Sequence, residues 1–403
     1  MKLQAAKQNQ KSEMRTAVIV AHKFLTQPDD ELVLYLNGLK VEKVLHICHS
    51  FSDARDRRSF YCLYQDGELV EQRQTDDYSS WPEPLIYLKE MFFTAQWAIQ
   101  KGGRWDIYVG MDGLCVLCGN LLRALRRARR TVYWAMDFVP ENRFKSTMKN
   151  MIYAAINKNG YLHADEVWDL SPRMTEARDR FGGIKPSDYR RHLVVPYGVW
   201  LNRIPHFSYD ECEQHTLVFM GHLLEKQGVQ LVIRAMPPIL ERIPELQFKI
   251  IGEGSYRPAL EDLADKMGVA EHCVFFGKIP NIEQLELEVA KSAVAIAPYI
   301  RALDTWTIYA DPGKVKTYLA CGVPVLLTDL PWNAGDIERY GCGKVISEDV
   351  QDIVENIVRV MDKERNQSMR DKALQFAKGF EWPGIFKAAL MNEVTTTEPV
   401  PSK

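Results

Sequence analysis

Residues 310–329 read ADPGKVKTYLACGVPVLLTD and contain the unit from which the whole chain is built. Asp311 suits the N-cap of a helix and Gly322 suits the residue just past its end, so the spacing predicts a short helix over 312–321. The apolar run at 324–329 then predicts a strand buried on both faces, because polar residues do not alternate within it. A helix followed directly by such a strand is typical of an α/β fold with a parallel sheet.

The same alternation of buried strand and amphipathic helix extends along the chain in both directions. In the second half the predicted strands are LVFMG (217–221), QFKIIG (247–252), CVFFG (273–277) and AVAIAPY (293–299). In the first half they lie at 16–22, 44–50, 105–113, 130–137, 164–171 and 192–199, with helices at 84–101, 114–128, 142–160 and 172–181. The pair Asp66-Gly67, flanked by alternating apolar residues, predicts a β-hairpin.

The length of 403 residues exceeds the roughly 250–300 residues that one hydrophobic core supports. We therefore expect two facing, Rossmann-like, doubly wound domains, with the active site in the interdomain cleft at the carboxyl ends of the strands. A polar stretch at 202–216 separates the two strand patterns. The expected division is an N-terminal domain over 1–203, a second domain over 204–380, a helix over 381–394 that returns to the first domain, and a disordered tail over 395–403.

The composition is that of an ordinary globular protein, with 46% apolar and 26% charged residues, which excludes collagen-like, coiled-coil and disordered chains. The net charge is −2, but residues 1–200 hold 29 basic against 24 acidic side chains. We expect this basic half to meet an anionic partner. Apolar runs fall short of the roughly 20 residues of a membrane span and the amino terminus is polar, which favours a cytoplasmic location.

Eight cysteines lie at irregular positions, as expected for the reduced thiols of a cytoplasmic protein. Cys115 and Cys118 have CxxC spacing, but no second pair accompanies them, and their segment reads as the apolar start of a helix. We assign both thiols to the hydrophobic core, with metal or redox chemistry as the alternative. No residue is assigned as a metal ligand.

Three loops that follow predicted strands carry residues suited to bind an anion. The helix start after Asp311, with Gly313 and Lys314 in its first turn, offers free N–H groups and the positive end of the helix dipole. Lys314 gains nothing from that dipole, so an anionic ligand explains its position, whereas the alternative is a solvated lysine.

The other two loops are GHLLEKQG at 221–228 and IGEG at 251–254. Their candidate binding residues are Gly221, His222, Lys226, Gly252, Glu253 and Gly254. Glycine lets the backbone approach a phosphate closely, and lysine neutralises its charge, although IGEG equally fits an ordinary tight turn. None of the three loops matches GxGxxG or GxxxxGK[ST], which disfavours a nicotinamide enzyme and a P-loop triphosphatase.

Taken in order, the segments GHLLEKQG, IGEG, FFGKIP and DPGKVKTYLACGVPVL resemble the donor domain of GT-B glycosyltransferases, particularly family GT4. The resemblance spans the second half and is looser in the first, at YWAMDFVPE, VWDLSPRM and LVVPYGV. It implies that Lys226 and Lys314 lie near the diphosphate of a nucleotide sugar and that Gly277, Lys278 and Ile279 lie near its base. The remaining donor-site positions that it implies are Gly221, His222, Gly252, Glu253, Gly254, Asp311, Gly313 and Thr317.

Two positions depart from the family pattern. His222 stands where the family has arginine, and Thr317 stands where it has the glutamate that holds the ribose hydroxyls. Asp304 or Asp311 is the candidate substitute for that glutamate.

The resemblance implies a glycosyltransferase that moves a sugar from a nucleotide diphosphate donor to a glycan, a lipid-linked acceptor or a small molecule. It further implies retention of anomeric configuration, no metal and no cofactor beyond the donor itself. Two alternatives stay open: a degenerate, non-catalytic subunit that scaffolds an active partner, and a phosphorylase or epimerase of the same fold.

Asp137 and His22, each at the end of a predicted strand, are the candidate catalytic residues of the first domain. Asp137 would be the general base of an inverting enzyme, and the alternative is a helix N-cap. His22 would point into the cleft, and the alternative is a structural histidine.

The run NLLRALRRARR at 120–130 predicts a basic helix that docks on an anionic membrane face, with nearby aromatic side chains adding apolar contact. A solvated helix face is the alternative. Nucleic acid is excluded as a partner, because the chain is slightly acidic and carries no recognition module.

Overall fold

The computed structural model describes residues 14–23, 28–51, 57–303 and 306–390. The chain divides into two units. The first unit runs to Val195 and takes in the chain again at Phe386, and the second unit is Pro196–Ile385.

The first unit is built on an eight-stranded sheet with the order β4-β3-β2-β1-β5-β6-β7-β8. Its strands are β1 (Thr16–Lys23), β2 (Lys43–Ser50), β3 (Phe60–Gln65), β4 (Glu68–Gln74), β5 (Trp105–Gly110), β6 (Ala128–Ala135), β7 (Glu166–Asp169) and β8 (His192–Val194). The predicted hairpin is confirmed, since β3 and β4 pair antiparallel around Asp66 and Gly67, both with positive φ. The other neighbouring strands pair in parallel, apart from β2 with β3.

The helices of the first unit connect these strands. They are α1 (Pro28–Gly38), α2 (Glu83–Lys101), α3 (Gly113–Ala124), α4 (Thr147–His163) and α5 (Pro172–Gly182). α4 starts later than predicted because Ser146 is its N-cap, with Oγ accepting from the Lys149 N–H at 3.4 Å.

The basic run at 120–130 does not lie on one helix, so that prediction is wrong. α3 ends at Ala124, Arg126 adopts a φ of +61°, and β6 begins at Ala128. The chain turns here because Ala128 must pair with Trp105 of β5 in the parallel register. The arginines are therefore spread over a helix end, a turn and a strand.

The second unit is built on a six-stranded parallel sheet with the order β11-β10-β9-β12-β13-β14. Its strands are β9 (Glu213–Met220), β10 (Gln247–Ile251), β11 (Cys273–Gly277), β12 (Ser292–Ala297), β13 (Val325–Thr328) and β14 (Gly343–Ile346). Leu217 and Phe219 of β9 join one core cluster and Val218 joins another. Both faces of this sheet are therefore covered, which explains why its strands lack polar alternation.

The helices of the second unit follow its strands in turn. They are α6 (Val229–Leu240), α7 (Arg257–Lys266), α8 (Ile282–Ala290), α9 (Gly313–Ala320), α10 (Ala334–Tyr340), α11 (Val350–Val360), α12 (Lys363–Ala377) and the start of α13 (Trp382–Leu390), which passes into the first unit at Phe386. Among the described residues, none of the helices has the length and apolar character needed to cross a membrane.

The second unit spans Pro196–Ile385, where the sequence suggested 204–380. The division falls before 202–216 because Val199 and Ile204 pack into a core cluster of the second unit. At the other end, Phe386 packs against Tyr35 and Trp134 of the first unit, with ring centroids 5.4 and 5.9 Å apart. The predicted tail over 395–403 lies outside the described residues.

Candidate functional site

The second unit presents an edge of glycine backbone at the carboxyl ends of three neighbouring strands. Gly221 follows β9, Gly252 follows β10 and Gly277 ends β11, with φ values of +146°, +144° and +71°. The Gly221 N–H donates to the Ile251 carbonyl and the Gly252 N–H donates to the Gly277 carbonyl, each at 2.9 Å. A Cβ on Gly252 would lie 1.9 Å from the Gly221 carbonyl oxygen. We call these three residues the glycine edge.

Lys314 reaches the glycine edge from the first turn of α9. Its Nζ lies 2.7 Å from the position that a Cβ on Gly221 would take, and it donates to Gln227 Oε1 at 2.5 Å. The ammonium group lies 4.3 Å from the centroid of the Phe219 ring and 5.1 Å from that of Tyr299. Two aromatic rings and one amide oxygen therefore hold a positive charge beside the glycine edge.

Lys226 lies in the 3-10 turn Glu225–Gln227, next to the residue that binds Lys314. Its Nζ is 5.0 Å from the centroid of the half-exposed Trp306 ring. Its carbonyl accepts a hydrogen bond from the Ile300 N–H at 3.0 Å. The structure thus brings both predicted lysines to one loop, although they lie 88 positions apart in the numbering.

The start of α9 differs from the prediction. α9 begins at Gly313 with Pro312 as its N-cap, and among the described residues no side chain caps it. Asp311, predicted as the cap, is instead buried. Its carboxylate accepts hydrogen bonds from Tyr197 N at 2.7 Å, Lys316 Nζ at 2.8 Å and Trp332 Nε1 at 3.0 Å. An uncapped helix start is the state in which first-turn N–H groups can bind an anion.

Lys316 is a buried partner of Asp311 that the sequence did not predict. Its Nζ also donates to the Tyr197 carbonyl at 3.2 Å and lies 3.7 Å from the centroid of the Phe380 ring. Burial lowers the pKa of Lys316, and the Asp311 carboxylate opposes this effect. The pair therefore stabilises the base of the loop that leads into α9.

The loop after β10 is bound to its neighbours on both sides. Glu253 forms an ion pair with Arg257, and its Oε1 lies 2.9 Å from the position of a Cβ on Gly277. Its carbonyl accepts from the Leu223 N–H at 2.9 Å. A Cβ on Gly254 would lie 2.2 Å from the Leu223 carbonyl oxygen. These glycines therefore allow a close approach between neighbouring loops.

The other residues predicted to bind the nucleotide sugar differ in their exposure and contacts. His222 and Lys278 are exposed, and Ile279 is half-buried against a core cluster. The Thr317 hydroxyl donates to the Gly313 carbonyl at 3.3 Å, within the first turns of α9. Asp304 lies outside the described residues.

His22, near the end of β1, lies between two carboxylates in the first unit. Its Nδ1 is 2.6 Å from Asp112 Oδ2, and its Nε2 is 3.0 Å from Oε2 of the buried Glu90. Asp112 is the N-cap of α3, because its Oδ1 accepts from the Cys115 N–H at 2.9 Å.

The charges around His22 decide its protonation. Burial lowers the pKa of His22, but Asp112 and Cys115 together outweigh burial and raise that pKa well above its usual value. Burial alone would raise the pKa of Asp112, and His22 together with hydrogen bonds from Cys115 more than reverses this shift. A protonated His22 forms an ion pair with Asp112.

Asp137 lies beyond the end of β6 and pairs with Arg143 at 2.8 Å, while its side chain stays 41% exposed. Arg143 also donates to the Tyr153 hydroxyl at 3.1 Å. Ser146 caps α4, so the interpretation of Asp137 as a helix N-cap is wrong.

The thiols of Cys115 and Cys118 belong to a core cluster, as predicted. Their partners differ. Cys118 Sγ donates to the Met91 carbonyl at 3.7 Å, whereas Cys115 Sγ donates to Asp112 Oδ2 at 3.0 Å.

Sequence reasoning missed the side chains that hold the predicted ones in place. They are Phe219, Gln227, Tyr299, Asp311 in its structural role, Lys316, Glu90 and Asp112. Asp112 had a usable signal, since an aspartate followed by glycine directly after a strand is a common helix start. The others gave none, because their partners are distant in sequence.

The loops of the second unit lie within a segment that is similar to known proteins. Residues 214–363 match the family model described as glycosyl transferases group 1. The chain is 34% identical over 117 residues to the GDP-mannose-dependent alpha-(1-6)-phosphatidylinositol monomannoside mannosyltransferase of Mycolicibacterium smegmatis. It is 25% identical over 179 residues to the D-inositol 3-phosphate glycosyltransferase of Corynebacterium aurimucosum. These stretches cover 28% and 42% of this chain, and only 30% and 40% of those proteins.

Solved structures match almost the whole chain. Sucrose-phosphate synthase from Thermosynechococcus elongatus has a TM-score of 0.68 at 15% identity and covers 94% of this chain and 98% of its own. HepE of Anabaena in complex with UDP has a TM-score of 0.66 at 14% identity and covers 94% and 99%. The chain therefore has the GT-B fold of glycosyltransferases, as the sequence motifs predicted. Its second unit is similar, over residues 214–363, to the glycosyl transferases group 1 family, GT4.

Proposed function

We propose that the protein is a glycosyltransferase that binds the diphosphate of a nucleotide sugar at the glycine edge. The observation that carries the proposal is the position of Lys314, whose ammonium group lies beside Gly221 at the uncapped start of α9. Lys226 adds a second cation on the neighbouring loop. A relative named as GDP-mannose-dependent and a structural neighbour bound to UDP support a nucleotide sugar as the donor.

The chemistry follows from where negative charge develops. The bond between the anomeric carbon and the diphosphate oxygen breaks, and its electron pair goes to the departing nucleoside diphosphate. Lys314, Lys226 and the first-turn N–H groups of α9 would stabilise that charge. A new bond forms from the anomeric carbon to an acceptor hydroxyl, whose proton passes to the oxygen of the departing diphosphate. The resemblance to family GT4 supports retention of configuration without a metal.

The remaining candidate residues keep their proposed roles around this step. Gly277, Lys278 and Ile279 would line the nucleotide base, and the exposed carboxylate of Asp137 would face the acceptor or the sugar. Thr317 offers only a hydroxyl for the ribose, and it already donates to Gly313. That feature favours a second candidate, a non-catalytic subunit of the same fold.

Nucleotide binding is tested by thermal shift of the full chain with UDP, GDP, dTDP, ADP and CMP. A nucleotide at 100 times its Kd should stabilise the protein by about 2.7 kcal/mol. Lys314→Ala should abolish the shift while the unliganded Tm stays close to that of the wild type. The matched control is Lys266→Ala, an exposed lysine of α7 paired with Asp262, which should keep the full shift.

Turnover separates the candidate functions. Release of nucleoside diphosphate from the matching sugar nucleotide should fall by about 10²–10³ in kcat for Lys314→Ala. Nucleotide binding without any turnover, together with a stable protein partner, would support the scaffolding subunit instead. Rearrangement of the sugar nucleotide without an acceptor would support an epimerase. The absence of any nucleotide shift would end the proposal.

We further propose that the acceptor is lipid-linked and that the first unit contacts an anionic membrane face. Leu85, Leu88 and Phe92 form an exposed stripe on α2, and Met148, Met151 and Ile152 form another on α4. The ion pair between Glu83 and Lys149 joins the starts of these two helices. Large exposed apolar stripes of this kind, next to basic side chains, are typical of surfaces that bind membranes.

The membrane contact is tested by flotation with vesicles of phosphatidylglycerol and phosphatidylcholine. The wild type should float with the anionic vesicles, and Leu88→Glu combined with Met151→Glu should reduce the bound fraction at least tenfold. Leu69→Glu, a matched change at a half-exposed leucine of β4, should leave flotation unchanged. Equal flotation of the double variant and the wild type would overturn this part of the proposal and leave the donor site untouched.

A further inference from the structure

The cluster around His22 occupies the position in the first unit where a doubly wound sheet offers a crevice. β1 has β2 on one side and β5 on the other, and the order of strands reverses between β1 and β5. His22 comes from the end of β1, and Asp112 and Cys115 come from the turn and helix after β5. Ligands of doubly wound sheets bind at such a switch point, outside the carboxyl ends of the strands.

Three atoms of different chemistry converge there. His22 Nδ1 is 2.6 Å from Asp112 Oδ2, Cys115 Sγ is 3.0 Å from the same oxygen, and Sγ is 3.6 Å from Nδ1. Ligands bound to zinc at about 2.0–2.3 Å in a tetrahedron lie about 3.3–3.7 Å from one another. The sulfur and the imidazole already have that separation, and the carboxylate needs to withdraw by less than about 1 Å.

The surroundings hold each of these atoms in place. The buried Glu90 carboxylate lies 3.0 Å from His22 Nε2, so Nδ1 is the nitrogen left for a ligand. A carboxylate behind a ligating histidine orients the ring and raises its basicity in many metal sites. Asp112 is anchored through Oδ1 by the Cys115 N–H, which leaves Oδ2 for the cluster. The Asp112 side chain is 35% exposed and the His22 side chain 10%, so this side of the cluster is in contact with solvent.

We propose that His22, Asp112 and Cys115 bind one zinc ion, with Glu90 positioning the His22 ring and a fourth coordination position open to solvent. A nitrogen, an oxygen and a sulfur ligand together select an ion of borderline softness and disfavour magnesium and calcium. Binding displaces one proton from the His22 imidazolium and one from the Cys115 thiol to solvent. The site lies wholly in the first unit and does not depend on the proposed donor site.

A second group of one aspartate, one histidine and one cysteine can be compared with the cluster around His22. Asp29, His46 and Cys48 also lie together, but all three are buried, and Cys48 Sγ is 3.9 Å from Asp29 Oδ2. The carboxylate of this group lacks the exposure of Asp112, since Asp29 has no exposed surface. We therefore assign the ion to the first group and use the second as an internal control.

The first experiment needs no variant. The full chain is stripped with a chelator and titrated with Co²⁺ and, separately, with Zn²⁺ in competition with a chromophoric chelator. We expect one ion per chain, intense visible bands of tetrahedral cobalt, and a thiolate-to-cobalt charge-transfer band in the near ultraviolet. A wild-type chain that binds neither ion, or binds cobalt without the thiolate band, would overturn the assignment.

Variants then locate the ion. Cys115→Ser keeps a hydroxyl donor for Asp112 and should remove the charge-transfer band and weaken zinc binding at least tenfold. Glu90→Gln should weaken binding by about 10–100-fold while the band remains. Cys118→Ser, a buried thiol on the same helix, and Cys48→Ser, in the second group, should bind as the wild type does. Circular dichroism of the metal-free variants checks that each is folded. Loss of binding in Cys48→Ser with full binding in Cys115→Ser would assign the ion to the other group and overturn the proposal.

Discussion

At the scale of single residues, Gly252 shows how closely the loops of the donor domain approach one another. A Cβ at this position would lie 1.9 Å from the carbonyl oxygen of Gly221, and its φ is +144°. We predict that Gly252→Ala lowers the free energy of unfolding by about 1–3 kcal/mol and abolishes nucleotide binding, because the loop must move away from the glycine edge. Urea unfolding and thermal shift measure the two effects.

The control for this change is Gly335→Ala. Gly335 lies in α10, and a Cβ there would meet nothing within 4 Å. Alanine is the better helix former, so this variant should equal the wild type or be more stable by up to about 1 kcal/mol. If both variants had the same stability, the close approach at Gly252 would not be the constraint that we describe.

The buried ion pair between Lys316 and Asp311 gives a second prediction at this scale. Lys316→Met leaves the Asp311 carboxylate buried without its cation, which should cost about 3–5 kcal/mol of unfolding free energy. Adding Asp311→Asn should recover part of that loss, because the side chain becomes neutral and its amide oxygen can still accept from one of the two donors, Tyr197 or Trp332. Denaturant unfolding of the single and double variants measures the interaction energy between Lys316 and Asp311. If the losses of the two single variants simply added in the double variant, the predicted interaction would be contradicted.

Residue types in the donor loops could be predicted, but their partners could not. The helix start, the glycines and the two lysines follow from local spacing. Asp311 looked like an N-cap because the local pattern fits. Its carboxylate instead accepts a hydrogen bond from the backbone N–H of Tyr197, which lies 114 positions away in the sequence. Asp112 and Glu90 are 90 and 68 positions from His22. Such contacts depend on the order of the strands, which local periodicity does not encode.

At the scale of elements, strands were easier to predict than helix ends. Buried strands appear as apolar runs, so β9 to β12 lie close to their predicted positions. Helix ends depend on single capping contacts, and the start of α4 moved because Ser146 supplies the cap. The arginines at 120–130 looked like one helix because their turn at Arg126 has no glycine or proline to mark it.

The buried ion pair between Asp169 of β7 and Arg178 of α5 gives a prediction about stability at low pH. Burial alone would raise the pKa of Asp169, but the buried Arg178 guanidinium and His192 together more than reverse this effect, so the pKa is lowered on folding. The folded state then binds fewer protons than the unfolded state, and this contribution to stability is present above about pH 4 and lost as pH falls through the lowered value. Urea unfolding between pH 3 and 7 should show a shallower pH dependence for Asp169→Asn than for the wild type.

This variant should also be less stable at pH 7, because Arg178 keeps its buried charge without a carboxylate. Asp262→Asn serves as the control, since Asp262 and its partner Lys266 are both exposed, and its pH dependence should match the wild type. If the unfolding free energy of Asp169→Asn depended on pH as steeply as that of the wild type, this ion pair would not contribute to the pH dependence of stability.

At the scale of the whole molecule, all eight cysteines are buried, free thiols, distributed over both units. We predict that a thiol reagent labels fewer than one cysteine per native chain within minutes and all eight in denaturant. The reason is that reaction requires exposure of the thiolate, which burial prevents. Rapid labelling of one thiol in the native chain would reveal a locally opening segment, and mass spectrometry would identify it.

The path of α13 has a consequence for how the protein is made. The first 195 residues leave the ribosome long before Phe386, yet the Phe386 ring packs against Tyr35 and Trp134 within the first unit. That unit can form its sheet early, but one aromatic side chain of its interior is synthesised only after the second unit. A nascent chain stalled before α13 would therefore leave the rings of Tyr35 and Trp134 without this neighbour, open to chaperones until α13 has been made.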